Sequence, residues 1–231
     1  MKRILLLLGA ITLGISQVKA QHIKIGPEIG INWTKFNVDQ PGIDADDYKT
    51  LAGLKVGGIV DIRFDRMFSI QPGLFFSQKG SKEKYSELRG GGLAAYYNNK
   101  IRVNYLEIPL NFQLRFGHPY RGQFFVGAGP YLAFAVGGEI KVKETIRDGD
   151  GFTVSTNSDS YDLEIGDDDF NDDVKGADAG LNLNLGFMAP RGFFIRGNAG
   201  IGLMNILPGG DDNYSIRNIG GSLTVGYLFG H

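Results

Sequence analysis

The segment Tyr105-Leu106-Glu107-Ile108-Pro109-Leu110-Asn111-Phe112-Gln113-Leu114-Arg115-Phe116 decides the fold by its alternation. Leu106, Ile108, Leu110, Phe112, Leu114 and Phe116 fall on even positions; Glu107, Asn111, Gln113 and Arg115 fall on odd ones. Successive side chains of a strand point to opposite faces, so one face is apolar for about 35 Å and the other is polar and charged. A strand in a closed barrel crossing a bilayer needs such a face. Hydrocarbon wets the apolar side, and every backbone N–H and C=O is paired with a neighbouring strand.

The same period of two recurs along the chain and predicts eight strands. The first, about 23–34, sets Ile23, Ile25, Ile29, Ile31 and Trp33 against Lys24, Glu28 and Asn32. The second, about 52–64, sets Leu54, Val56, Val60 and Ile62 against Lys55, Asp61 and Arg63. A third covers about 67–79, a fourth runs from near Ile101 through the opening segment, and a fifth covers about 123–137. The sixth, about 178–189, sets Leu181, Leu183, Leu185 and Phe187 against Asp178, Asn182 and Asn184. The seventh, about 193–206, includes Arg196 on its polar side, and the eighth covers about 217–229.

Connections alternate between short (65–66, 117–122, 190–192) and long (about 37–51, 80–100, 138–177, 207–216). The predicted fold is therefore all-β: an eight-stranded antiparallel up-and-down transmembrane β-barrel with four outer loops and three short periplasmic turns. An even strand count puts both termini in the periplasm. Phe64, Phe68, Phe116, Tyr120, Phe124, Phe193, Tyr227 and Phe229 gather at the short turns, as an interfacial aromatic girdle would. Pro27, Pro72, Pro109 and Pro130 fall inside strands, where each is expected to mark a bulge or a local break.

The chain opens Met1-Lys2-Arg3, runs apolar from Ile4 to Ile15 and reaches Val18-Lys19-Ala20 before Gln21. This reads as a cleaved signal peptide over 1–20, too short to span as a helix, followed by one barrel domain over 21–231. Removing Lys2, Arg3 and Lys19 takes the formal charge from −1 to −4, which gives no basis for a nucleic-acid partner. The absence of cysteine excludes N-terminal lipidation, disulfides and thiolate metal sites. The 35 glycines and 16 phenylalanines favour strands and turns over helices.

An eight-stranded barrel is about filled by its own side chains. Glu28, Lys55, Asp61, Arg63, Glu107, Arg115, Asp178 and Arg196 are expected to form a charge network in that lumen, with Lys79 beside them. Inward glycines leave room for the inward rings of Phe75, Tyr105 and Tyr131. A pore with a selectivity ring is the competing reading of the same residues. Catalysis is not expected, since His22, His118 and His231 lie away from the long loops and no carboxylate pair stands apart.

The loop over 138–177 is acidic. Asp148, Asp150, Asp167, Asp168 and Asp169 could offer oxygen ligands to Ca²⁺, but the spacing of a calcium-binding loop is missing. A solvated, mobile loop is the plainer reading, and no cofactor is expected. The loop over 80–100, with Lys82, Lys84, Arg89 and Gly90-Gly91-Gly92, reads as basic and flexible, suited to lipid phosphates or an external ligand.

Three segments carry a resemblance: Ile25-Gly26-Pro27-Glu28-Ile29-Gly30, Tyr105-Leu106-Glu107-Ile108-Pro109-Leu110, and Val126-Gly127-Ala128-Gly129-Pro130-Tyr131. With the leader ending Ala20-Gln21, they resemble the small outer-membrane β-barrel proteins of Bacteroidetes, the porin-family or PorT-family proteins. The resemblance covers the mature chain. It implies an outer-membrane location in a Gram-negative bacterium and an eight-stranded barrel, and it makes Pro109 and Pro130 part of the family pattern. It implies no defined activity, although one branch serves protein secretion. The final Phe229-Gly230-His231 departs from the usual aromatic terminus.

The expected function is a structural, binding or envelope-assembly role carried by the external loops. The alternatives are a narrow porin-like channel, a subunit of a secretion complex, a lipid-modifying enzyme, or a soluble lipocalin-like barrel. Expected partners are outer-membrane lipid and lipopolysaccharide, the barrel-assembly machinery during insertion, and an unidentified envelope protein.

Overall fold

The computed structural model describes residues 22–39, 48–168, 171–210 and 214–230; the signal segment, His231 and Asp169 lie outside them. Nine strands are formed among these residues: β1 (His22–Asp39), β2 (Tyr48–Arg63), β3 (Phe68–Arg89), β4 (Leu93–His118), β5 (Gly122–Arg147), β6 (Thr153–Asp162), β7 (Ala177–Met188), β8 (Phe193–Gly202) and β9 (Ser215–Tyr227). Every strand pairing is antiparallel. Eight of the strands pair in a cycle, β1–β2–β3–β4–β5–β7–β8–β9 and back to β1.

The ninth, β6, is a correction to the expected count. It pairs only with the far half of β5, outside the ring. The expected loops are also shorter than the spacing suggested. β3 and β4 continue as a paired hairpin to Arg89 and Leu93, closed by a turn at 90–92 in which Gly91 and Gly92 hold φ of 78° and 76°. Half of the expected acidic loop is β5 and β6. These extensions lack the apolar alternation that made the barrel strands readable.

Inside the ring the two faces separate as their sequence requires. Glu107 and Arg115 are each 2% exposed, while Ile108 and Phe112, on the opposite face of β4, are 42% and 43% exposed. A lipocalin-like barrel would reverse these values. The aromatic girdle forms at the short turns, with Phe124 and Phe187 at 5.1 Å and Phe193 and Tyr227 at 4.7 Å between ring centroids.

All four strand prolines break a ladder, and none makes a bulge. At Pro27 the β1–β9 pairing lapses between Glu28↔Gly226 and Ile25↔Phe229. At Pro72 the β2–β3 pairing lapses between Ile59↔Gly73 and Ile62↔Ile70. The β3–β4 ladder lapses at Pro109 and the β4–β5 ladder at Pro130 in the same way. In each case the register resumes unchanged, and the other neighbour of each proline stays paired. The missing N–H costs a local gap, and the barrel retains its order.

Register shifts occur elsewhere. One in β4–β5 lies between Asn104 and Tyr105, opposite Gly137 at φ 151°. Beyond it the outward positions of β5 change from even (Leu132, Phe134, Val136) to odd (Glu139, Lys141, Lys143), while Ile140 turns inward to pack on the core. A second shift, in β2–β3 between Thr50 and Lys55, changes parity in β2.

Candidate functional site: a filled lumen and a projecting basic sheet

The lumen is closed in layers. Nearest the short turns, Arg115 Nη2 meets Asp61 Oδ1 at 2.5 Å and Arg63 Nε meets Asp61 Oδ2 at 3.0 Å. Gln71 donates to Asp61 Oδ1 at 2.9 Å and accepts from Arg196 Nη2 at 2.6 Å. Arg196 Nη1 continues to Glu28 Oε2 at 3.1 Å, whose Oε1 accepts from the Thr224 hydroxyl at 2.6 Å. Around this chain sit Ile59, Phe75, Phe125, Met188, Phe194 and Leu228, all buried. The Arg196 guanidinium lies 5.2 Å from the Phe194 ring and 5.5 Å from the Phe125 ring.

A second ion cluster lies above the first. Lys55 Nζ and Lys79 Nζ grip the two oxygens of Glu107 at 2.7 and 2.8 Å, and Lys79 also reaches Asp178 Oδ2 at 3.5 Å. Tyr131 and Asn218 donate to the same Asp178 oxygen at 3.1 and 3.0 Å. Over this cluster an apolar cap closes the far mouth, built from Phe36, Tyr48, Val103, Tyr105, Leu163, Val174 and Ile206.

All eight expected network residues line the lumen, but they form two clusters rather than one. Lys79 joins the upper one. The aromatic layer of Phe125 and Phe194 and the cap over the mouth were not legible from charge. Their signal was present in the glycines: a Cβ on Gly180 would press on Tyr131, and one on Gly226 on Phe194. The rings of Phe75, Phe125, Tyr131 and Phe194 each occupy the space of a missing side chain on a neighbouring strand, at Gly57, Gly186, Gly180 and Gly226. The cavities left among the charged groups measure about 30 and 10 Å³, room for about two waters in the first and at most one in the second.

The second feature is the sheet formed where β3, β4, β5 and β6 run past the ring. One of its faces carries more acid than base, with Glu83, Glu87, Glu144 and Asp159 against Arg89. Arg89 Nη2 and the Tyr97 hydroxyl both donate to Glu144 Oε1, at 2.7 and 2.9 Å, and Tyr85 stacks on Tyr97 at 4.7 Å. The other face, continuous with the lipid-facing side of the barrel, is basic. Lys49, Lys82, Lys100 and Lys141 occupy directly opposed positions on β2, β3, β4 and β5. Lys84, Arg102, Lys143 and Arg147 flank this row, and Arg147 lies over the Tyr96 ring at 5.2 Å. Among the described acids, Glu139 and Asp162 share this face. Hydrogen bonds from the Ser160 hydroxyl and from Lys141 hold the Glu139 carboxyl below its usual range. Lys84, Tyr96, Tyr97, Lys143 and Arg147 border an open cleft of about 660 Å³.

The expected Ca²⁺ ligands are divided between two places. Asp148 and Asp150 sit in the β5–β6 turn, where Asp148 Oδ1 accepts from the backbone of Asp150 and Phe152. Asp167 and Asp168 belong to the segment after β6; Asp167 pairs with Lys175 at 3.4 Å and Asp168 accepts from Asn171. No group of three or more metal-ligating side chains forms among the described residues. His22 and His118 lie at the short-turn end, remote from the projecting sheet.

Comparison with solved structures returns similar barrels. Ail, the attachment invasion locus protein of Yersinia pestis, is 12% identical, with 89% of this chain and 98% of that chain covered and a TM-score of 0.39. Neisserial surface protein A is 10% identical, with 90% and 97% covered and a TM-score of 0.42. CarO2 of Acinetobacter baumannii is 12% identical, with 87% and 98% covered and a TM-score of 0.39. No curated protein matches the chain. The family model described as the outer membrane protein beta-barrel domain matches residues 16–208. With lipid-facing strands in a closed ring and a match over most of its length, the chain belongs to the outer membrane protein beta-barrel domain family.

Proposed function

We propose that this protein is a non-conducting membrane anchor whose binding role is carried by the sheet projecting from its long-loop end. The observation that carries this reading is the filled lumen. Two ion clusters, an aromatic layer and an apolar cap lie in series across it. An ion crossing would have to displace buried, paired charges, which is costly. The projecting sheet offers polar, exposed surface on strands longer than the bilayer requires. In this reading the long-loop end faces the outside and the short turns and both termini face the periplasm, as in barrels of this class. The Tyr105–Leu110 and Gly127–Tyr131 motifs support placement among the porin-family barrels of Bacteroidetes, inserted by the barrel-assembly machinery.

Planar-bilayer recording on refolded protein tests the central claim. Wild type is expected to be electrically silent. Regular conductance steps from the folded barrel would refute the reading in favour of the narrow channel.

A second reading has its own support. β6 is ten residues long, exposed along its length and, among the described residues, paired on one side only. An unpaired strand edge is a template for strand addition, which fits a subunit of an envelope or secretion complex. Photo-crosslinking from β6 in native membranes tests it; a partner strand captured there is the expected result.

A further inference from the structure

We infer that the basic face of β2–β5 binds the phosphate groups of an anionic glycolipid in the surrounding leaflet. The inference deepens the proposed binding role and rests on its orientation. It begins with the row Lys49, Lys82, Lys100 and Lys141, four ammonium groups in directly opposed positions on four consecutive strands. Neighbouring strands lie about 4.8 Å apart, so the row concentrates its charge within about 15 Å. Like charges placed directly opposite one another destabilise a sheet. Among the described residues, only Lys141 of the four has an ion-pair partner, Glu139 at 3.1 Å. The other face of the same sheet has the opposite balance: Glu83, Glu87, Glu144 and Asp159 stand against Arg89, which pairs with Glu144. The excess of positive charge is therefore confined to one face, and an anionic ligand relieves it.

Position selects the source of the anion. The row lies on the side of the sheet that continues the lipid-facing surface. Val136 is the last apolar residue on that side of β5, and Asn104, opposite Gly137, is at its level. Lys100 stands four residues past Asn104, about 13 Å along the strand and about 10 Å in height at a tilt near 40°. Lysine stems can span much of that height to reach the headgroup zone. Arg102, between the two levels, has a buried Nε with no hydrogen-bond partner. A soluble polyanion has no reason to prefer a surface that grades into hydrocarbon. A lipid whose acyl chains lie against Leu106, Leu132 and Phe134 presents its phosphates at this height.

The test uses refolded full-length protein in phosphatidylcholine nanodiscs carrying bis-phosphorylated lipid A or its dephosphorylated form, with retained lipid read by native mass spectrometry. Wild type should retain the phosphorylated lipid preferentially. The triple variant K82Q/K100Q/K141Q should weaken that preference by about fivefold per lysine, on the order of 100-fold in all. The triple variant R66Q/R121Q/R191Q removes the same charge from the short-turn rim and should behave as wild type. Heat-modifiable gel migration verifies that both variants fold. Equal retention of the two lipid forms, equal loss in both variants, or competition by inorganic phosphate as effective as by lipid A would each overturn the inference. A conducting barrel that still prefers the phosphorylated lipid would refute the proposed function alone.

Discussion

Replacing Glu107 with glutamine keeps the volume of the side chain and removes one negative charge from between two buried ammonium groups. Lys55 and Lys79 approach the two Glu107 oxygens at 2.7 and 2.8 Å, and the side chains of all three are at least nine-tenths buried. After the substitution Lys79 retains Asp178 at 3.5 Å. Lys55 retains no anionic partner, only the neutral amide oxygen of the glutamine and the face of the Phe75 ring, 4.8 Å away. Breaking a buried pair by removing one partner costs about 3–5 kcal/mol, because the remaining charge stays desolvated.

Arg89 and Glu144 supply the internal comparison. Their separation is also 2.7 Å, but the arginine side chain is 48% exposed, so E144Q is expected to cost at most about 1 kcal/mol. Urea unfolding in lipid vesicles, followed by Trp33 fluorescence, would measure both. Trp33 is the single tryptophan and lies on the lipid face, 42% exposed. The double variant K55M/E107L removes the stranded charge together with its partner and should recover most of the loss. An E107Q cost no larger than that of E144Q, at unchanged denaturant slope, would refute the argument that this lumen is held by desolvated charge.

Two further substitutions probe the lipid face and the closure of the ring. Leu110→Arg places a charge on the apolar side of β4 and should destabilise the barrel by about 2–4 kcal/mol if that side meets the bilayer core, measured by the same unfolding assay; a neutral result would mean that the face is wet. Gly26→Ala would drive a methyl group into the carbonyl of Tyr227 where β1 closes on β9, whereas a methyl group on Gly197 meets its nearest atom at 4.0 Å. G26A should therefore lower stability by about 1–3 kcal/mol or more while G197A stays near wild type, and equal effects would remove the argument from close backbone approach.

The two halves of each strand differ in what the sequence can reveal about them. Within the bilayer one solvent touches one face, so Leu106 to Phe116 announce their orientation without reference to any neighbour. The prolines were legible as breaks because a missing N–H is a property of a single residue. Past the bilayer both faces meet water, and composition no longer distinguishes β6 or the tips of β3 and β4 from loop. Lys82 and Lys84 were visible as basic residues, but Lys100, Lys141 and Lys143 join them only through pairing register. That register depends on the shift at Asn104 and Gly137, which changes the parity of β5 midway. Counted at an unbroken period of two from Phe134, Lys141 would be placed on the inner side. The extra residue turns it outward and sends Ile140 inward to the apolar cap. The insertion in β5 thus sends Ile140 to the mouth and Lys141 to the basic row together, and the shift in β2 turns Lys49 out to join it, so the features that matter for binding reside in the pairing between strands rather than in the pattern along any one of them.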